Sequence, residues 1–134
     1  MIRVILDTNL WISYLISKRL SKIDELFLRK DLVLLFSQEL LEEFIDVATR
    51  PKFKTYFSES SIVELLSLFD EFGEMVEVVS SVEACRDPKD NFMLSLAKDA
   101  RADFLVTGDD DLLVLQDFEH TKIVPFAVFI ESLE

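Results

Sequence analysis

In 134 residues the chain has one cysteine, one histidine, two glycines and three prolines. Each scarcity closes off a chemistry. A lone Cys85 leaves no internal disulfide and no cysteine cluster for a metal. A lone His120 excludes a histidine-pair zinc site and disfavours a Ser-His-Asp triad. With Gly73 and Gly108 alone, neither a G-x-x-x-x-G-K phosphate loop nor a G-x-G-x-x-G fingerprint can be written. No apolar run approaches the roughly 18–20 residues of a membrane span, and the opening M-I-R-V-I-L-D-T-N lacks a basic lead before a long apolar stretch. The expectation is a cytoplasmic protein without membrane contact. Half of the residues are apolar and mean hydropathy is +0.26, enough for a buried core and too much for intrinsic disorder. The length fits one domain spanning 1–134.

What remains in excess is carboxylate. Twenty-six acidic side chains against 14 basic ones give a net charge of −12. The surplus is local: residues 18–54 hold 8 basic and 7 acidic side chains, whereas residues 55–121 hold 4 basic and 16 acidic ones. Such a field repels nucleic acid over about a Debye length, ~8 Å. A nucleic-acid role would have to rest on bound metal, on the balanced 18–54 stretch, or on a partner. The plainer reading of most of these acids is a solvated face.

Short apolar runs alternate with helical patterns. Strands are expected over 2–6, 32–36, 75–79, 104–107 and 122–125, each apolar enough to lie buried in a parallel sheet. Helices are expected over 10–17, over 21–30 with Ser21 as cap, and from the cap Ser37 through Thr49, where Pro51 stops the run. A further helical piece carries Phe53 and Phe57; another opens at Ser58 or Ser60 and ends near Gly73, and Asp87-Pro88 starts one reaching Arg101. The order βααβαααβαβ(α) predicts a three-layer α/β/α fold around a central, mostly parallel five-stranded sheet.

In such sheets ligands gather beyond the carboxyl ends of the strands. Asp7 follows the first strand and Asp109 follows the fourth after Thr107-Gly108; Asp90, in a helix's first turn, and Glu43, within the helix after strand two, could lean over the same edge. Four convergent acids repel one another unless a hard cation sits among them, and Mg²⁺ and Mn²⁺ prefer such oxygen ligands. Sites of this kind hydrolyse phosphodiesters.

Each acid also has a structural reading. Asp7 could cap the next helix, Thr8 and Asn9 could be turn-formers or could orient Asp7, Asp90 could compensate a helix dipole, and Asp87 could be a cap. At about 100° per residue, Glu42 and Glu43 flank the apolar arc of Leu40, Leu41, Phe44, Ile45, Val47 and Ala48, while Glu39 and Asp46 face solvent; the wheel does not choose between the two flanking glutamates. Asp109, Asp110 and Asp111 in succession are costly without a cation or a helix N-terminus. Cys85 reads as core, His120 as surface, and Trp11 and Tyr14 as core rather than base-stacking platforms.

D-T-N after the first strand, S-Q-E-L-L-E-E-F running into R-P-K-F, R-D-P-K-D-N before a helix, and V-T-G-D-D-D-L-L together resemble the PIN domain, and most closely its bacterial and archaeal toxin–antitoxin branch. The similarity covers essentially the whole chain with motifs in the family's order. It implies a five-stranded parallel sheet, a Mg²⁺- or Mn²⁺-dependent endoribonuclease acting on RNA, a small antitoxin protein covering the acidic pocket through an arginine or lysine, and a homodimer. Carried over by position, the acids are Asp7 (supported by Thr8 or Asn9), Glu43 rather than Glu42, Asp90 with Asp87 accessory, and Asp109, with Asp111 a further ligand and Thr107 a supporting donor. Arg50, Lys52, Lys54, Lys89 and the Lys18-Arg19-Lys22 group are the available phosphate contacts, though Arg50 and Lys52 could instead be helix-end dipole partners.

Two rivals remain. A signalling receiver domain needs an acidic pair after strand one and an acceptor aspartate after a middle strand; only Asp7 follows strand one, and residues 47–58 contain no acid. A PIN-fold interaction module without cleavage activity predicts a partner but no metal-dependent reaction.

Overall fold

A computed structural model of the chain describes residues 1–17 and 21–133. The expected cap Ser21 and the Lys18-Arg19-Lys22 group have side chains outside the described residues.

Strand β1 (Ile2–Leu6) lies beside β2 (Leu32–Phe36), β3 (Gly73–Met75), β4 (Phe104–Val106), β5 (Asp117–Phe118) and β6 (Thr121–Val124) in a sheet of order β3-β2-β1-β4-β6-β5. All pairs are parallel except β5 with β6. Around it run α1 (Thr8–Ser17), α2 (Ser21–Leu28), α3 (Gln38–Ala48), α4 (Glu59–Phe72), α5 (Asn91–Ala100), α6 (Asp110–Leu113) and α7 (Phe126–Ser132), with short 3-10 turns at Pro51–Phe53 and Pro88–Asp90. This is the expected α/β fold. Central strands are buried because both faces are covered: Val4, Ile5, Leu105 and Val106 have no exposed surface. Among the described residues no helix is long and apolar enough to cross a membrane.

The caps are those the sequence suggests. Ser37 accepts from the Leu40 amide at 3.2 Å and opens α3; Ser58, not Ser60, accepts from the Ser61 amide at 3.2 Å and opens α4. Trp11 is buried against Phe69 (4.6 Å between ring centroids), Phe27 (5.7 Å) and Phe36 (5.8 Å), which ties α1 to α2, β2 and α4. Its role is core. Cys85 is likewise buried and His120 exposed.

Two strand expectations are corrected. The third strand starts at Gly73 rather than residue 75 and is only three residues long, because its partner β2 ends at Phe36 where Ser37 opens α3. Residues beyond it are tied to α5 instead: the Val79 and Ser80 amides donate to Asp99 at 2.7 and 2.8 Å, and the Val82 amide to the Ser95 hydroxyl at 3.0 Å. The sixth strand is the two-residue β5, which folds back on β6 and is too short for any hydrophobic period to reveal.

Strand order decides where a site can form. From β1 the chain moves outward to β2 and β3 on one side, and returns to β4 and β6 on the other. The crevice between the carboxyl ends of β1 and β4 is therefore the topological switch point.

Candidate active site

Register brings the first two site residues together. Leu6 pairs with Val106, so the next residues, Asp7 and Thr107, leave the sheet side by side. The Asp7 amide donates to the Val106 carbonyl at 3.1 Å, and the Thr107 hydroxyl donates to Asp7 Oδ2. The other oxygen, Oδ1, accepts from the Leu10 amide at 3.0 Å. Asp7 thus caps α1, as its structural reading proposed, and also faces the crevice. Only 7% of its surface remains exposed. Burial raises its proton affinity above the ordinary carboxylate range; the Thr107 and Leu10 hydrogen bonds oppose this, while the charges of Asp109 and Glu43 add to it.

Thr107 also accepts from the Asp109 amide at 3.0 Å, so one hydroxyl links the ends of β1 and β4. Asp109 caps α6 through the Asp111 amide at 2.8 Å. The run Asp109–Asp111 therefore has the helix N-terminus its charge calls for.

Thr8 does something the sequence did not suggest. Rather than supporting Asp7, its hydroxyl donates to Glu43 Oε2 at 2.5 Å, fixing the glutamate where α1 packs on α3. Glu42 turns away and accepts from Gln38 at 2.9 Å. Asn9 is exposed at the same rim. Asp7, Thr8, Asn9, Glu43, Asp90 and Asp109 line a cleft of about 60 Å³ whose apolar wall is Val47, Met93 and Leu112. The four acids proposed from sequence share one face.

Asp90 occupies the N-cap position of α5 without capping it, and its Oδ2 is buried without a hydrogen-bond partner. Asp87 is the cap here, accepting from the Lys89 amide at 3.3 Å. Desolvation first, then the neighbouring Asp109 and Asp87, push Asp90 up to about 7; Lys89 opposes the shift. One oxygen from each of Asp87, Asp90 and Asp111 lies within 4.8 Å of the others. Asp111 also accepts from the Arg86 guanidinium, a contact sequence reasoning missed because the two are 25 positions apart.

A divalent cation fits the carboxylates of Asp87, Asp90 and Asp111, whose oxygens lie within 4.8 Å of one another; Asp7, Glu43 and Asp109 line the cleft beside them. The ligands on offer are oxygens, one buried carboxylate oxygen is unpartnered, and Asp7 and Asp90 hold protons more tightly than free aspartates, first because burial desolvates them and then because neighbouring carboxylates repel their charge.

The PIN domain family matches residues 3–111. This chain belongs to the PIN domain family. An uncharacterized protein of Methanocaldococcus jannaschii is 30% identical over 144 residues, an alignment covering 99% of this chain and 92% of that protein. The PIN fold is of nuclease type, and PIN domain nucleases generally use divalent metals. The family match spans all four cleft acids, Asp7, Glu43, Asp90 and Asp109, and ends at Asp111.

Proposed function

We propose that this PIN domain is a Mg²⁺- or Mn²⁺-dependent endoribonuclease that hydrolyses RNA phosphodiester bonds, and that it is the toxin of a toxin–antitoxin pair in the cytoplasm. The observation that carries the reading is the buried, unpartnered Asp90 Oδ2 in a cleft shared with Asp7, Glu43 and Asp109. Asp7, Glu43, Asp90 and Asp109 would hold the cation, with Asp111 beside them. When bound, it neutralises charge developing on the phosphate under attack.

The protein's own groups prepare that event. Thr107 holds Asp7 from one side and the Asp109 amide from the other, so both carboxylates are aimed before substrate arrives. Thr8 fixes Glu43 in the same way. Val47, Met93 and Leu112 keep one wall of the cleft dry, which strengthens every charge interaction inside it.

The same chemistry suits a small antitoxin that inserts an arginine or lysine among the acids, since clustered carboxylates accept a guanidinium through charge-assisted hydrogen bonds. Family resemblance supports a homodimer.

The test combines binding with turnover. Mn²⁺ should raise thermal stability by mass action, about 2.7 kcal/mol at one hundred times the dissociation constant. RNA cleavage should require the metal, stop in excess chelator, and disappear in Asp109→Asn. Neither stabilisation nor cleavage in the wild-type protein would refute the reading and favour an interaction module instead.

A further inference from the structure

The acid-rich stretch 55–121 contains four basic side chains: Arg86, Lys89, Lys98 and Arg101. Two of them, Arg86 and Lys89, pair with Asp111 and Asp87, the two carboxylates that lie within 4.8 Å of the cleft acid Asp90. Their geometry differs. Lys89 lies 3.5 Å from Asp87 with a 79% exposed side chain, a loosely held point charge. Arg86 is held through Nε alone by Asp111, and its side chain remains 59% exposed. The two terminal nitrogens, Nη1 and Nη2, make no hydrogen bond to the described residues. A guanidinium held at Nε alone leaves both terminal nitrogens available to bind a phosphate end-on through two parallel N–H···O bonds.

We propose that Arg86 is a phosphate-binding residue that grips the RNA backbone at the mouth of the cleft, with Asp111 as the anchor that aims it. This rests on the ribonuclease reading and goes beyond it. The cleft acids repel a polyanion, so substrate entry needs a cation placed at their edge. Arg86 then offsets part of the acid cluster's charge, while Asp111 holds it so that the remaining donors meet substrate. The fork reads phosphate and carries no base information, so Arg86 contributes to binding equally for all sequences.

The test is steady-state cleavage of a fluorogenic single-stranded RNA oligonucleotide at saturating Mn²⁺, repeated over a series of KCl concentrations. Arg86→Ala should raise KM about tenfold, as expected for a lost charged hydrogen-bond contact, with kcat nearly unchanged. Its log KM against log [KCl] slope should be shallower by about 0.7, one phosphate fewer. Arg86→Lys should fall between wild type and Arg86→Ala, because charge remains and the fork is lost. Lys98→Ala removes the same charge from α5 at a position that does not line the cleft, and should leave KM unmoved.

Unchanged KM and salt slope in Arg86→Ala overturn the inference while wild-type cleavage leaves the nuclease reading standing. An equal rise in KM for Lys98→Ala also overturns it, since the effect would then belong to overall charge. No RNA cleavage by the wild-type protein at any salt concentration removes both.

Discussion

The Asp90 carboxyl offers the sharpest quantitative check, because its environment opposes its own charge. Its proton affinity rises from an ordinary value of 3.8 to about 7, chiefly through desolvation and then through Asp109 and Asp87. An acid whose folded value exceeds its unfolded value costs nothing below about pH 4, where both states are protonated. The cost then grows as pH rises and is complete above about pH 7. The full difference sets a ceiling of about 4 kcal/mol. Asp90 is partly open to solvent, so screening reduces this to about 1–2 kcal/mol. Asp90→Asn removes the charge while keeping the shape. The metal-free variant should therefore be more stable than wild type at pH 8 by about 1–2 kcal/mol, or roughly 3–7 °C in Tm for a chain of this length. At pH 4 the two should melt together. Thermal melts in chelator, one series at each pH from 4 to 8, read this directly. Adding Mn²⁺ at pH 8 should reverse the order, because the wild type gains a ligand that the variant lacks. A stability difference that does not change with pH, or a variant less stable at pH 8, would show that Asp90 is not the strained carboxylate described.

Two further outcomes follow from the same contacts. Thr8→Val removes the donor to Glu43 and should weaken Mn²⁺ binding about tenfold, as loss of a ligand's supporting partner does; isothermal titration checks it, and unchanged affinity would mean that Glu43 needs no such support. Gly73→Ala places a Cβ 2.5 Å from the Phe36 ring and 2.7 Å from the Phe69 carbonyl oxygen. Phe36 is buried and cannot yield freely, so the substitution should destabilise by about 1–3 kcal/mol in urea unfolding, and a neutral effect would contradict the tight β2–α4 packing.

Much of the architecture is local and was readable as such. The runs 2–6 and 32–36 become β1 and β2 with the same bounds, since segments this rich in β-branched residues and leucine are buried best in a sheet covered on both sides. Ser37 caps α3 because side chain and amide are three residues apart. Asp7 and Asp109 were visible as strand-end acids for the same reason: a residue's place after a strand is a property of its neighbours in the chain. Where the signal was short or absent, the expectation failed. Residues 75–79 look like a strand, but the ladder ends when β2 does, and two residues of β5 carry no period at all.

Composition and spacing thus settled the fold class, the order of elements as far as β4, and the oxygen character of the ligands in the cleft. Which oxygens meet is another matter. Thr107 reaches Asp7 across 100 positions because Leu6 lies opposite Val106, and Thr8 reaches Glu43 across 35 because α1 packs on α3. Arg86 finds Asp111, and one carboxylate oxygen of Asp90 is buried, through packing of the same long-range kind. Strand register and helix packing are set by the free energy of the whole assembled core. The identity of the acids is therefore written along the chain, whereas their charge state and their partners exist only once it is folded.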